Sequence, residues 1–192
     1  WNPGRVRAAR DRAGAEGADV VVCPGMWSTG CGIGDLVADD AFVDANLAAL
    51  DRIRARTGDV AAVVGFVDRE GEDRYNAAAV VQHGEIRGVA RKVLLPNYRY
   101  FDDERYFEAG EEVAPIPVDV DGETVSLGVS VCEDMWDEAY DRRPVAELAD
   151  AGADVLVNVN ASPFEAGKRR TRHEILQRHV EATGRRSYAS SH

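Results

Sequence analysis

Apolar positions along this chain follow two rhythms. Short unbroken runs read as buried strands: Val20-Val21-Val22-Cys23, then Val60 to Val67 broken by Gly65, then Val125 to Val131 and Ala153 to Val159. Between them the spacing turns helical. Phe42, Ala45, Leu47, Ala49, Leu50 and Ile53 recur at three- and four-residue steps and predict a helix over Ala41 to Thr57. Further helices are expected at Val6 to Glu16, at Pro144 to Ala151 closed by Gly152, and at Arg169 to Thr183 with Gly184 just past its end. Asp68 to Asp73 reads as a turn. Asn76 to Gln82 and Glu85 to Val93, joined at His83-Gly84, predict a hairpin. Strands alternating with helices indicate an α/β layered fold, without internal repeats or a low-complexity linker.

Composition narrows the setting. The 192 residues fit one domain with a substantial core, and 45% hydrophobic with 30% charged residues describe a folded, soluble chain. A net charge of −11 repels phosphate backbones, so nucleic acid is not expected as a main partner. No apolar run approaches a membrane span. The 3 cysteines lack the spacing of a disulfide framework and suit reduced thiols in a cytoplasmic enzyme. The opening Trp1-Asn2-Pro3-Gly4 and the closing Ser190-Ser191-His192 are expected to be cuts within a longer domain.

The most telling segment is Gly128-Val129-Ser130-Val131-Cys132-Glu133-Asp134-Met135-Trp136. An apolar strand ends in a cysteine, followed at once by two carboxylates. Strand carboxyl ends collect ligands in open α/β sheets, so Cys132 is a candidate nucleophile; it also fits as a small apolar residue finishing a buried strand. Other strands end in equally distinctive loops: Cys23-Pro24-Gly25-Met26-Trp27-Ser28-Thr29-Gly30, Lys92-Val93-Leu94-Leu95-Pro96-Asn97-Tyr98, and Asn158-Val159-Asn160-Ala161-Ser162-Pro163-Phe164.

These loops, in this order, resemble the glutaminase domain of glutamine-dependent NAD synthetases, within the nitrilase or carbon–nitrogen hydrolase superfamily. Lys92 to Phe107 is the most specific stretch. The resemblance covers essentially the whole chain. It implies a nitrilase-like α-β-β-α sandwich, incomplete, with residues 1–192 a partial glutaminase domain and the synthetase domain absent. It also implies hydrolysis of glutamine, with the ammonia serving ATP-dependent NAD synthesis. No cofactor is expected for the glutaminase domain; ATP and Mg belong to the absent synthetase part. Glutamine, that synthetase domain and further copies of the chain are the implied partners.

Carried over by motif, Cys132 is the nucleophile and Lys92 the triad lysine, whose charge favours the thiolate and the oxyanion. Tyr98 and Glu133 are placed to hold the amino and carboxyl ends of glutamine, and Ser162 to add a polar contact. Two positions depart from the family. Where the family has Pro-Glu-Leu, this chain has Pro24-Gly25-Met26, so Gly25 stands in the general-base position. Base assistance is typically worth about 10²–10⁴-fold in rate, so turnover is expected to be impaired. Where the family has Phe-Asp-Glu, this chain has Phe101-Asp102-Asp103, one methylene shorter; Glu104 is a neighbour that points differently.

Remaining signals are plainer. His173 and His179 are not spaced as an i, i+4 metal pair. Lys168-Arg169-Arg170-Arg172 reads as a solvated helix start, and Trp27 and Trp136 either line the pocket or pack. Two other functions stay open: an amidase or nitrilase of different substrate range, and, because of Gly25, a catalytically silent ligand-binding or oligomerisation domain.

Overall fold

A computed structural model describes residues 12–190, apart from Ser28, Cys31, Tyr100, Pro163 and Phe164. The expected first helix lies largely outside the described residues; its described end, 12–15, is helical. The strands are β1 (Val20–Val22), β2 (Ala61–Glu70), β3 (Asp73–Gln82), β4 (Glu85–Arg91), β5 (Ile116–Val120), β6 (Glu123–Val131), β7 (Val155–Val159) and β8 (Arg186–Ala189). The helices are α1 (Asp40–Arg54), α2 (Pro144–Asp150) and α3 (Lys168–Thr183).

The strands form two four-stranded sheets in the orders β1-β2-β3-β4 and β5-β6-β7-β8. Their facing sides are apolar: Ala61, Val63, Ala78 and Val80 of the first meet Val118, Leu127, Val129, Val157 and Val159 of the second. Both outer faces are covered too. Leu50 and Ile53 of α1 pack on Ala62, Val64, Phe66, Ala77, Ala79 and Val81. Val145 and Leu148 of α2 and Ile175 of α3 pack against Leu156. This two-sided burial explains why β2 and the Ala-rich β3 read as unbroken apolar runs rather than alternating ones. The layering is the expected α-β-β-α sandwich.

One expectation needs correction, and two strands add to the pattern. The turn expected over Asp68 to Asp73 is confined to Gly71-Glu72: β2 runs to Glu70 and β3 starts at Asp73. The hairpin extends past the core, where Asp68↔Tyr75 and Arg69↔Arg74 keep the ladder and ion pairs from Arg69 and Arg74 to Asp40 of α1 hold it. Strand β5 has no apolar run to mark it because Pro117 interrupts it, a residue tolerated on an edge strand. After α3 the polar β8, Arg-Ser-Tyr-Ala, pairs in parallel with β7 at the other edge. Among the described residues, no helix is long and apolar enough to cross a membrane.

Candidate active site

Strands β1, β4, β6 and β7 release their loops at one end of the sandwich, where the expected site residues assemble. Cys132 follows β6 directly and opens a short 3-10 turn, Cys132–Met135. Its φ is +49°, in the left-handed region that a residue bearing Cβ adopts at a cost of roughly 1–2 kcal/mol. The sulfur side of the turn faces a cleft of about 550 Å³. Cys132, Glu133, Tyr98, Ser162 and Trp136 all line it. Trp27, by contrast, packs beside the core under α1.

Lys92 lies just behind the cleft wall, 3% exposed, at the end of β4. Its backbone is pinned on both sides: its N–H donates to the Asn76 carbonyl at 2.8 Å, and its own carbonyl accepts from Gly110 at 2.7 Å. Its ammonium donates to Asp103 Oδ2 at 2.5 Å. Burial works against the ammonium, but Cys132, Asp103 and Asp134 outweigh it, and the lysine pKa lies above its ordinary value. The shorter Asp103 therefore still reaches the lysine. Glu104 does not substitute for it; its carboxylate accepts from Asn97 at 3.0 Å.

Glu133 is buried, and both Tyr98 and Tyr140 donate their phenolic O–H to its Oε1, at 2.8 and 3.1 Å. Burial and the Glu133 carboxylate push both phenol pKa values up. Both tyrosines use the same oxygen, Oε1, and the cleft that Glu133 lines also carries Lys168 and Arg170. Those cations lie at the start of α3, as expected, with Arg169 and Arg170 exposed; Lys168 and Arg170 also line the cleft, and Lys168 Nζ is 5.6 Å from the Trp136 ring centroid.

Three residues were not anticipated. Asp134 is fully buried; its Oδ1 accepts from the N–H groups of Val93 and Leu94 at 3.0 and 2.9 Å, and its Oδ2 from Val131 at 2.8 Å. It thus clamps the lysine loop to the cysteine turn. Burial pushes its carboxyl up to about 6, against the opposing pull of those N–H donors and of Lys92. Tyr140 is the second donor to Glu133. Asn160 is fully buried beneath Cys132, with Oδ1 3.4 Å from Sγ and 2.5 Å from the Ser162 hydroxyl that donates to it. The alternation Asn158-x-Asn160-x-Ser162, polar residues at every second position from the end of β7 into its loop, is the available sequence signal.

Gly25 sits where the β1 loop meets the β7 loop, its N–H donating to the Asn160 carbonyl at 3.0 Å. A Cβ there lies 3.3 Å from the Ala161 nitrogen and the Asn160 carbonyl carbon. Below it, Gly65 of β2 lets the loop descend onto the sheet, since a Cβ at Gly65 falls 2.6 Å from the Met26 nitrogen. His179 is structural: its Nε2 lies 2.8 Å from the Met135 carbonyl.

The profile of the carbon-nitrogen hydrolase family matches residues 2–186. Over 174 residues the chain is 37% identical to a glutamine-dependent NAD(+) synthetase of Thermotoga maritima, covering 89% of this chain and 28% of that protein. The synthetase of Xanthomonas campestris is 37% identical over 179 residues, covering 93% and 31%. Among solved structures, the glutamine-dependent NAD+ synthetase of Acinetobacter baumannii in complex with ADP superposes with a TM-score of 0.87 at 27% identity, over 99% of this chain and 35% of that one. An amidase from Nesterenkonia sp. AN1 shares the fold, with a TM-score of 0.78 at 23% identity over 100% and 72%. The chain spans about a third of the length of the synthetases it matches.

Proposed function

This chain belongs to the carbon–nitrogen hydrolase family, and from that membership and its cysteine cleft we propose that it is the glutaminase part of a glutamine-dependent NAD synthetase. The observation that carries the reading is the buried ammonium of Lys92, paired with Asp103 and electrostatically coupled to Cys132, behind a cleft that holds Cys132 and Glu133. The sulfur attacks the side-chain amide carbon of glutamine. Lys92 stabilises the charge on the carbonyl oxygen, together with the backbone N–H that follows Cys132. Breaking the C–N bond, with a proton passed to the nitrogen, gives a thioester and ammonia. Water then releases glutamate and restores the thiol. Glu133, held by Tyr98 and Tyr140, is the counter-charge for the substrate ammonium; Arg99, Lys168 and Arg170 are the cations lining the cleft for its carboxylate, and Ser162 adds a hydroxyl. The ammonia serves a synthetase domain that uses ATP and magnesium, in a cytoplasmic, oligomeric protein. The thioester steps themselves call on no cofactor.

Gly25 limits turnover. Glycine offers no group to take the thiol proton, and the loss of a general base is worth about 10²–10⁴-fold. The same residue favours a second reading, a domain that binds its ligand without releasing ammonia. A glutamine analogue bearing a chloroketone in place of the amide distinguishes them. The glutaminase reading expects an adduct on Cys132, seen by intact mass and peptide mapping, that excess glutamine suppresses. No adduct, or one indifferent to glutamine, contradicts it; thermal protection by glutamine without an adduct favours the silent domain.

A further inference from the structure

Beneath the cleft runs a chain of buried polar side chains that the proposed chemistry does not use. Ser130 on β6 stands opposite Asn158 on β7 in the sheet register. The Asn158 amide donates to Ser130 Oγ at 3.0 Å, and Asn158 Oδ1 accepts from Asn160 Nδ2 at 2.9 Å. With its N–H₂ committed in this way, Asn160 turns its Oδ1 upward. That single oxygen receives the Ser162 hydroxyl at 2.5 Å and lies 3.4 Å from Cys132 Sγ, within reach of a thiol hydrogen bond. Such networks hold a side chain in one orientation because every alternative leaves a buried polar atom unpaired. A flipped Asn160 sets its oxygen against Asn158 Oδ1, two acceptors face to face.

We infer that Asn160 is the positioning residue of Cys132: its Oδ1 holds the thiol hydrogen and fixes the sulfur between the β7 loop and Lys92. The inference rests on the reading of Cys132 as the reacting thiol. An acceptor oxygen favours S–H over S⁻, whereas the Lys92 ammonium favours S⁻, so Asn160 and Lys92 oppose each other across the sulfur. In a chain with Gly25 in its β1 loop, Asn160 is the acceptor that the thiol meets, and an amide oxygen is too weak a base to take its proton. The charged and titratable groups around the turn are Lys92, Asp103, Glu133, Asp134, Tyr98 and Tyr140 and, along the cleft, Arg99, Glu165, Lys168, Arg170 and Glu174. None is altered in the variants below, so their contribution is common to all of them.

The test is the pH profile of Cys132 alkylation by iodoacetamide, read by mass at the Cys132 peptide so that the other cysteines do not contribute. Asn160→Ala removes the acceptor and is expected to move the midpoint down by about half to one pH unit. Asn160→Asp, nearly isosteric, replaces the amide by a carboxylate and is expected to move it up. Ser162→Ala frees Oδ1 from its competing donor and is expected to move it up as well. A purely packing role predicts no midpoint shift, or the same shift in both Asn160 variants, and either result overturns the inference. If Asn160→Ala fails to fold, the other two variants decide. Iodoacetamide needs no glutamine pocket, so this outcome is independent of capture by the glutamine analogue: unmoved midpoints with glutamine-competed capture reject Asn160 alone, and shifted midpoints without capture reject the glutaminase reading alone.

Discussion

The thiol of Cys132 is carried on a backbone that glycine adopts more easily, and the strain is the cost of aiming a side chain out of the end of β6. This gives a stability prediction separable from chemistry. Cys132→Ala removes the sulfur and keeps the strain; Cys132→Gly removes both. The glycine variant is expected to be the more stable of the two by ~1 kcal/mol, visible as a higher melting temperature, because a residue with Cβ in this region costs about that much. Equal or reversed stabilities contradict the strain argument. At this scale the sequence was highly legible where a residue sits in a recognisable loop: Cys132, Lys92, Tyr98, Glu133 and Ser162 all reach one site, Lys92 from behind its wall. Asp134 and Asn160 were not legible as site residues. Their long-range partners, the N–H groups of Val93 and Leu94 for Asp134 and the Cys132 thiol for Asn160, lie 28 to 41 positions away, and a strand-end Asp or Asn carries no mark of that in one dimension.

Among the elements, the two loops that carry Lys92 and Cys132 come from different sheets, and Asp134 is what ties them. Asp134→Ala leaves the N–H groups of Val93, Leu94 and Val131 without their acceptor. Each unmet buried N–H costs about 1–3 kcal/mol, so the variant is expected to be clearly destabilised and to slow adduct formation on Cys132 at least tenfold. The pH dependence has a definite sign. The carboxyl is raised to about 6 in the folded chain from 3.8, so the folded state binds the proton more tightly across that window. Stability of the wild type relative to Asp134→Ala therefore falls as pH rises from about 4 to about 6 and levels off above it. Chemical denaturation at pH 4, 5, 6 and 7 checks this; a difference that grows with pH contradicts it. Legibility at the element scale followed burial. Interior strands and α1 stand out as apolar runs or helical spacing, while the edge strands β5 and β8 do not. A strand needing only one covered side tolerates Pro117 or a polar stretch such as Arg-Ser-Tyr-Ala.

The whole molecule is two sheets stapled face to face, with Gln82 as one visible staple. Its amide donates to the carbonyls of Asp59 and Asp119, and its Oε1 accepts from Asp119 N–H. This rigid stack brings the β1 loop beside the β7 loop and so decides what Gly25 means. The bond from Gly25 to Asn160 and the 3.3 Å clearance at a would-be Cβ leave a side chain room only if the Asn160–Ala161 backbone yields by a few tenths of an ångström. The layering was legible from the rhythm of the chain; that contact between distant loops was not, since it depends on how the two sheets are stacked.

The central claim is that Cys132 and Lys92 form a site for amide attack that lacks its proton acceptor. Steady-state ammonia release from glutamine by the wild type and by Gly25→Glu, measured side by side with folding checked by circular dichroism, tests it most directly. The account predicts slow release by the wild type and a gain of about 10²-fold or more in kcat for the glutamate variant, the scale of general-base assistance. Wild-type turnover equal to or above that of a folded Gly25→Glu variant contradicts it.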